Sequence, residues 1–351
     1  MGPRPHRIPI LPTCAAFSCG RRRAELWHNR VVRTRFAPSP TGDLHLGGAL
    51  TALAAWWLAR SSGGSTVLRV EDLDRPRVVP GAEARQREDL TWLGLDWDEQ
   101  PDGPGGFSPY RQSERAAHYD DALAALTTQG RTYPCDCSRA EIARVASAPH
   151  DGEELAYPGT CRTKDPTRSY RRPPAIRLRI EENDHVAWKD GVVGAVDPKL
   201  LRAAGDFVLR RGDGVYAYQL AVAADDLSMG ITAVVRGDDL VSSTPRQLLL
   251  MNLWRSGGAS PWALVHDLPA YWHLPLVRDP SGARLAKRTP RSTLRELRDA
   301  GISAGEVLGQ LAYGLGILAS PASTSSRDLV RTGAAAFSFR KTAWAPPPSW
   351  L

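Results

Sequence analysis

The sequence predicts an α/β fold: a doubly wound parallel sheet, interrupted by a cysteine-bearing insertion and followed by a short helical C-terminal segment. Three observations carry that expectation. A strand-loop-helix-strand unit opens at Val31. The rhythm breaks into cysteines, prolines and short charged pieces between Tyr133 and Pro174. Two helical stretches follow Thr289.

Residues 1–30 are unlike the rest. Prolines precede Arg21, Arg22 and Arg23 with no periodicity, so a disordered extension or a start-site artefact is expected there. Val31 to Ala37 is a buried strand, and Pro38 to Gly42 form a stiff loop. Leu46, Leu50, Leu53 and Trp57 then recur at helical spacing until Gly63-Gly64 ends the run. Thr66 to Glu71 is the next strand and 81–94 a further helix, making 31–110 the first half of a Rossmann-type domain.

A helix over 111–129 opens an insertion expected to span 111–205, with a strand at 175–180. The second half, 206–290, starts with a hairpin. Its arms are Phe207 to Leu209 and Val215 to Tyr218, and Arg211-Gly212-Asp213-Gly214 is the turn. A strand at Thr232 to Arg236 and a helix at Pro245 to Trp254 follow. Helices at 291–300 and 303–318 fill the segment 291–320, and 321–351 reads as a loop-like tail.

Composition sets outer limits. With 351 residues, 42% hydrophobic and 24% charged, the chain can bury a core and is not a disordered polymer. No apolar run approaches the roughly 20 residues of a membrane span. The apolar stretch near Ile8 is broken by Pro9 and Pro12 and makes a poor secretory signal, so a cytoplasmic protein is expected. A net charge of +7 permits a polyanionic partner without identifying one. Cys14, Cys19, Cys135, Cys137 and Cys161 are odd in number, and the last three lie close together, which favours a metal site over disulfides.

The segment from Ala37 to Gly48 has the makings of a phosphate site. A strand ends, prolines stiffen the turn, and a helix opens whose free N–H groups and positive dipole end suit a triphosphate. Gly47 and Gly48 leave room for a flat base, while Thr41 and His45 supply donors. Taken whole, Pro38-Ser39-Pro40-Thr41-Gly42 followed by His45-Leu46-Gly47-Gly48 resembles the first signature of class I aminoacyl-tRNA synthetases, in the glutamyl/glutaminyl branch. Tyr271 to Asp279 leading to Arg284-Leu285-Ala286-Lys287-Arg288 resembles the second, with Arg284 and Ala286 departing from its usual lysine and serine.

That resemblance implies ATP contacts from Ser39, Thr41, His45, Gly47, Gly48 and Lys287, with Mg2+ accompanying the ATP. It gives His45 and Lys287 catalytic roles, stabilising charge as pyrophosphate leaves. It also implies a pocket for L-glutamate. Glu71 takes the ammonium, Arg35 and Arg236 take carboxylates, and Tyr218 adds a hydroxyl; Phe36, Ala37, Pro38 and Ser39 complete the wall. The string Val235 to Leu240, followed by Ser243-Thr244-Pro245-Arg246-Gln247, is typical of the branch. Each charged residue taken singly reads equally well as a structural ion pair.

Cys135, Cys137 and Cys161 supply three thiolates but no fourth ligand of ordinary type. The order Cys-x-Cys, then Tyr157-x-x-x-Cys161, resembles the zinc insertion of one group within the branch, implying one structural Zn2+ held also by Tyr157. His150 is the other candidate fourth ligand. About 60 residues follow Lys287, and Leu50 stands where ordinary glutamyl enzymes usually carry arginine. Both features resemble that same group of truncated paralogues. There the resemblance implies tRNA-independent activation of glutamate with ATP and transfer to the queuosine base of the tRNA(Asp) anticodon arm, by a monomer. The helices of 291–320 would then be a stem-contact-like segment. Two other readings stay open: a shortened enzyme charging a tRNA 3′ end, and a non-catalytic tRNA- or zinc-binding module.

Overall fold

The computed structural model describes residues 31–145, 156–197, 199–257, 267–279, 281–283, 285, 292–333 and 338–350. The expected extension 1–30, His150 and Lys287 lie outside the described residues. In chain order the elements are β1 (Arg33–Phe36), α1 (Leu46–Arg60), β2 (Ser65–Leu68), α2 (Ala82–Trp92), α3 (Ala116–Thr128), β3 (Thr132–Cys135) and α4 (Arg139–Val145). Then come β4 (Ala175–Leu178), β5 (Lys189–Asp190), β6 (Gly194–Ala195), α5 (Leu200–Ala204), β7 (Val208–Arg210), α6 (Tyr218–Ser228), β8 (Ala233–Gly237) and α7 (Thr244–Ser256). The last are β9 (Ala270–Leu274), α8 (Leu294–Asp299), α9 (Ala304–Leu315) and α10 (Ser326–Arg331).

Four strands form a parallel sheet in the order β2-β1-β8-β9. The chain runs outward from β1 to β2, then crosses back to lay β8 on the other side. Loops leaving β1 and β8 therefore diverge at their carboxyl ends, the switch point where open sheets of this kind form a ligand crevice. Strand alternation divides the apolar side chains between two cores. Phe36, Leu68, Val235 and Leu274 pack with α1 and α9, whereas Val67, Val234 and Tyr271 pack with α3, α6 and α7. Both faces of the sheet are covered, as a parallel sheet requires.

A separate antiparallel sheet, β3-β4-β7, carries the cysteine cluster. Among the described residues no helix is long and apolar enough to cross a membrane.

Two local expectations are corrected. The turn at 211–214 forms, with Arg211 N–H donating to Val215 O at 2.8 Å, but its second arm shrinks to a single bridge between Arg210 and Tyr216. Tyr218 is not a strand residue; it begins α6, whose residues from Gln219 to Leu227 are all buried. A helix buried on every side lacks the one-sided periodicity by which helices are recognised. The stretch read as a loop-like tail contains α10, whose N-cap Ser325 accepts from Asp328 N–H at 3.2 Å. Leu329, Phe339, Trp344 and Trp350 from the same stretch join the core beneath α1. Such widely spaced apolar residues give no repeating pattern to detect.

Candidate active site

The loop after β1 crosses the carboxyl edge of the sheet. Gln86 of α2 pins it, its side-chain amide donating to Ser39 O at 3.2 Å and Gly42 O at 2.7 Å. Glu71 N–H donates to Pro38 O at 3.0 Å, which ties the ends of β1 and β2 together. His45 is the N-cap of α1, with extended backbone (φ −74°, ψ 157°). Among the described residues no side chain caps the helix, and its first turn carries no acidic residue, so its positive end favours an anion.

Packing among the described residues does not explain Gly47: a Cβ there would meet none of their atoms closer than Val277 Cγ2 at 3.9 Å. A glycine inside a helix costs about 0.5–1 kcal/mol relative to alanine, so its presence points to a close approach from outside. Gly47→Ala should therefore hold or slightly raise Tm while raising KM for ATP at least about tenfold. Thermal melts and initial rates at varied ATP check this; an unchanged KM contradicts it.

The described chain leaves the second signature's neighbourhood at Leu285, whose N–H donates to Val277 O at 3.1 Å. It resumes at Ser292, whose carbonyl accepts Leu46 N–H at 2.9 Å, and Leu294 N–H donates to Leu44 O at 2.9 Å. Ser292 to Leu294 thus lie against the start of α1, with Thr293 bridged to His45.

Arg35, Arg69, Arg236 and His273 lie on the sheet face that α6 and α7 cover. Register places Arg35 beside Val67 and Arg236 beside His273. Arg35, Glu71, Tyr218 and Arg236, four of the expected glutamate-pocket residues, come together here, and the three charged ones already have side-chain partners. Arg35 Nε donates to both oxygens of Asp226, at 3.1 and 3.2 Å. Arg69 donates to Asp226 Oδ1 at 2.7 Å and to Glu71 Oε1 at 3.3 Å. Burial would raise the Asp226 carboxyl, but Arg35 and Arg69 outweigh it and hold the group below the ordinary range. Glu71 goes the other way: burial, with Asp226 adding, lifts it above its ordinary range against Arg69 and Arg35. Burial and nearby Glu71 raise the Tyr218 phenol, so it stays a neutral donor.

Arg236 is held by four neutral partners. Its Nε donates to His273 Nε2 at 3.0 Å, Nη1 to Gln247 Oε1 at 2.8 Å, and Nη2 to Thr244 Oγ1 at 2.7 Å and Leu240 O at 3.4 Å. Its guanidinium carbon stands 5.2 Å from the centroid of the Tyr271 ring. The Tyr271 hydroxyl is buried and has no hydrogen-bond partner among the described residues. A buried donor without a partner costs about 1–3 kcal/mol, which a polar ligand in this crevice would recover.

At the insertion, the sulfurs of Cys135, Cys137 and Cys161 all lie within 4.8 Å of one another. The Tyr157 hydroxyl stands 3.2 Å from Cys135 Sγ and 3.9 Å from Cys137 Sγ, while Cys161 N–H donates to it at 2.8 Å. Three thiols and a hydroxyl at these separations fit a tetrahedral cation of zinc type. The cluster of three cysteines can hold a metal ion, and the Tyr157 hydroxyl lies beside it. Buffer-exchanged protein should carry about one zinc per chain, and Cys161→Ser should lose most of it together with several degrees of Tm. Metal analysis showing no zinc in the unaltered protein would contradict this.

Residues 31–304 match the family model described as tRNA synthetases class I (E and Q), catalytic domain. The chain belongs to that family. It is 47% identical over 305 residues to the glutamyl-Q tRNA(Asp) synthetase of Symbiobacterium thermophilum, covering 84% of this chain and 90% of that protein. At 39% identity over 295 residues it also resembles glutamate–tRNA ligase 2 of Acidithiobacillus ferrooxidans, covering 82% of this chain and 59% of that one. Among solved structures, a glutamate tRNA ligase from Elizabethkingia meningosepticum in complex with its amino acid superposes with a TM-score of 0.76. It is 26% identical, and the match covers 92% of this chain and 68% of that one. Relatives at 45–47% identity over most of the chain are named glutamyl-Q tRNA(Asp) synthetase, which places it in that group of class I ligases.

Sequence reasoning missed much of what surrounds the family's pocket. Asp225 and Asp226 are adjacent carboxylates in the otherwise apolar run Leu220 to Leu227, and that mismatch was the available signal. Asp225 accepts from Arg115, Gln112 and Tyr119 at 2.7 to 2.9 Å. His273 was visible only as part of the string before the second signature. Asp190 gave no signal at all.

Proposed function

We propose that the enzyme activates L-glutamate with Mg2+-bound ATP, without needing tRNA, and transfers it to the queuosine base at the wobble position of tRNA(Asp). The observation that carries this reading is that Glu71 and Arg236, at the carboxyl ends of β2 and β8, lie close enough to the buried Tyr218 hydroxyl to act on it electrostatically. Glu71 N–H ties down Pro38 O in the loop that leads into the glycine-bearing start of α1. That set offers a carboxylate to an ammonium, a guanidinium to a carboxylate, and a helix end to a triphosphate.

In the first step a glutamate α-carboxylate oxygen attacks the α-phosphorus in line. The α–β anhydride bond breaks and pyrophosphate departs. His45 and Lys287 stabilise the charge accumulating on the phosphates; a carboxylate nucleophile has no proton to lose, so no base is required. In the second step a hydroxyl of the queuosine cyclopentenediol attacks the adenylate carbonyl carbon, the bond from that carbon to the phosphate oxygen breaks, and AMP leaves as its phosphate takes up the hydroxyl proton. The chain's contribution is positioning and charge complementarity.

Mg2+ would neutralise phosphate charge. A zinc ion on Cys135, Cys137, Cys161 and Tyr157 would brace the insertion. The net charge of +7 suits tRNA phosphates, whose binding weakens with added salt. We place the enzyme in the cytoplasm as a monomer. The first step is tested by ATP–pyrophosphate exchange without tRNA. Glutamate should support exchange and glutamine should not. Exchange that needs tRNA, or that prefers glutamine, would overturn the reading of the pocket.

A further inference from the structure

The two arginines expected to receive carboxylates are not equivalent. Arg35 is directly paired with Asp226, so its charge is largely spent within the protein. Arg236 is equally buried, yet His273, Gln247, Thr244 and the Leu240 carbonyl, all neutral, are its hydrogen-bond partners. Behind His273 stands a carboxylate: His273 Nδ1 lies 2.7 Å from Asp190 Oδ2. Asp190 is itself anchored, its other oxygen accepting the backbone N–H groups of Val192 at 2.8 Å, Val193 at 2.9 Å and His273 at 3.2 Å.

Proton positions follow from chemistry. An arginine can only donate, so His273 Nε2 must accept from Arg236 and the ring proton must sit on Nδ1, donated to Asp190. Burial keeps the imidazole neutral even with Asp190 beside it, while the hydrogen bonds from His273 and the two turn amides keep Asp190 ionised despite its burial. The ring cannot swing away. Tyr271 stacks on it at 6.0 Å between centroids and 6° between planes, and Trp188 meets it edge-on at 5.6 Å.

We propose that Asp190 and His273 are positioning residues that orient Arg236 through a fixed neutral imidazole, leaving its charge uncompensated for the side-chain carboxylate of the substrate and so setting preference for the acid over its amide. This rests on the proposed glutamate pocket. Interposing the ring is what matters. A carboxylate in direct contact with Arg236 would compete with the substrate, as Asp226 does at Arg35. A carboxylate one ring away holds the guanidinium's direction without neutralising it, and a substrate carboxylate can displace the neutral Gln247 and Thr244 contacts of its Nη groups.

The test is pyrophosphate exchange by full-length Asp190→Asn, His273→Gln and Asp190→Glu. Asp190→Asn should raise KM for glutamate about 10- to 100-fold, because the relay to Arg236 loses its charged end. kcat and KM for ATP should stay within about threefold, and the glutamate-over-glutamine ratio should fall by a similar factor. Asp190→Glu should recover part of that ratio. His273→Gln, which keeps an acceptor for Arg236 but breaks the link to Asp190, should reproduce the selectivity loss and stands in if Asp190→Asn does not fold. Unchanged KM and selectivity in the folded variants overturn the relay and leave the pocket intact. A proportional fall in kcat alone likewise overturns it, marking Asp190 as merely structural. No glutamate-dependent exchange by the unaltered enzyme removes the pocket reading and the relay together.

Discussion

Glu71→Gln is expected to lower kcat/KM for glutamate activation about 10²- to 10³-fold while leaving Tm unchanged or higher at neutral pH. The substitution keeps the shape and an oxygen for Arg69, which lies 3.3 Å away, but removes the charge that an ammonium would meet. Losing one partner of a buried charge pair costs about 2–5 kcal/mol, the origin of that range. The stability sign is opposite. Glu71 sits above its ordinary range in the folded protein. The stability linked to its proton is therefore present at acid pH and lost as pH rises through the raised value. At neutral pH the ionised group is a net cost in the empty site, so a neutral amide does not destabilise the fold. Substrate binding reverses the balance, because an ammonium needs the ionised carboxylate. KM for glutamate should fall as pH rises through the raised Glu71 value, and that dependence should be absent in Glu71→Gln. Rates across pH and thermal melts decide it; a variant with normal kcat/KM contradicts the role given to Glu71.

Asp226→Asn should have the largest effect on stability. Asp226 is fully buried and receives Arg35 and Arg69 together. Without its charge two guanidiniums remain buried with insufficient counter-charge, at a cost of about 3–5 kcal/mol. For a protein of this size that corresponds to a Tm loss on the order of 10 °C. Asp226 titrates below its ordinary range, so its contribution is fully present above the unfolded value and disappears as pH falls through the folded one. The difference between Asp226→Asn and the unaltered protein should therefore be large at pH 7 and shrink in acid. A Tm difference that is small at pH 7, or that grows on acidification, contradicts this assignment.

How much of this was legible depended on which physical signal each residue carried. The first strand, the loop of prolines and the helix at Leu46 were readable because a buried run, turn residues and a 3.6-residue rhythm follow one another there. The observed β1, α1 and β2 keep that order within a few residues. Helix α6 was not, since Gln219 to Leu227 are buried all round and present no polar face. Arg35, Glu71 and Arg236 were found through resemblance to a family, and the structure gathers them at one crevice with Tyr218. Their partners were hidden for a different reason. Asp226 lies 191 residues from Arg35 along the chain, and Asp190 lies 83 from His273. Spacing in sequence carries no trace of such pairings; only the oddity of two carboxylates in an apolar helix hinted at one of them.

The cysteines show the same division. Their proximity in sequence suggested a metal, but the position of the Tyr157 hydroxyl beside them comes from the antiparallel sheet and the loop that brings Cys161 back to β3. His150 lies outside the described residues, so the choice between the two candidate fourth ligands passes to experiment. Tyr157→Phe should weaken zinc retention if the hydroxyl is the ligand, and His150→Ala should leave it unaltered.

The central claim concerns the acceptor, and one measurement addresses it directly. Radiolabelled glutamate and ATP are supplied with tRNA(Asp) that lacks its 3′ terminal adenosine, prepared with and without queuosine. Label should appear on the queuosine-containing tRNA and be absent from the other. Label that requires an intact 3′ end and ignores queuosine would contradict the account and make this enzyme a charger of tRNA 3′ ends.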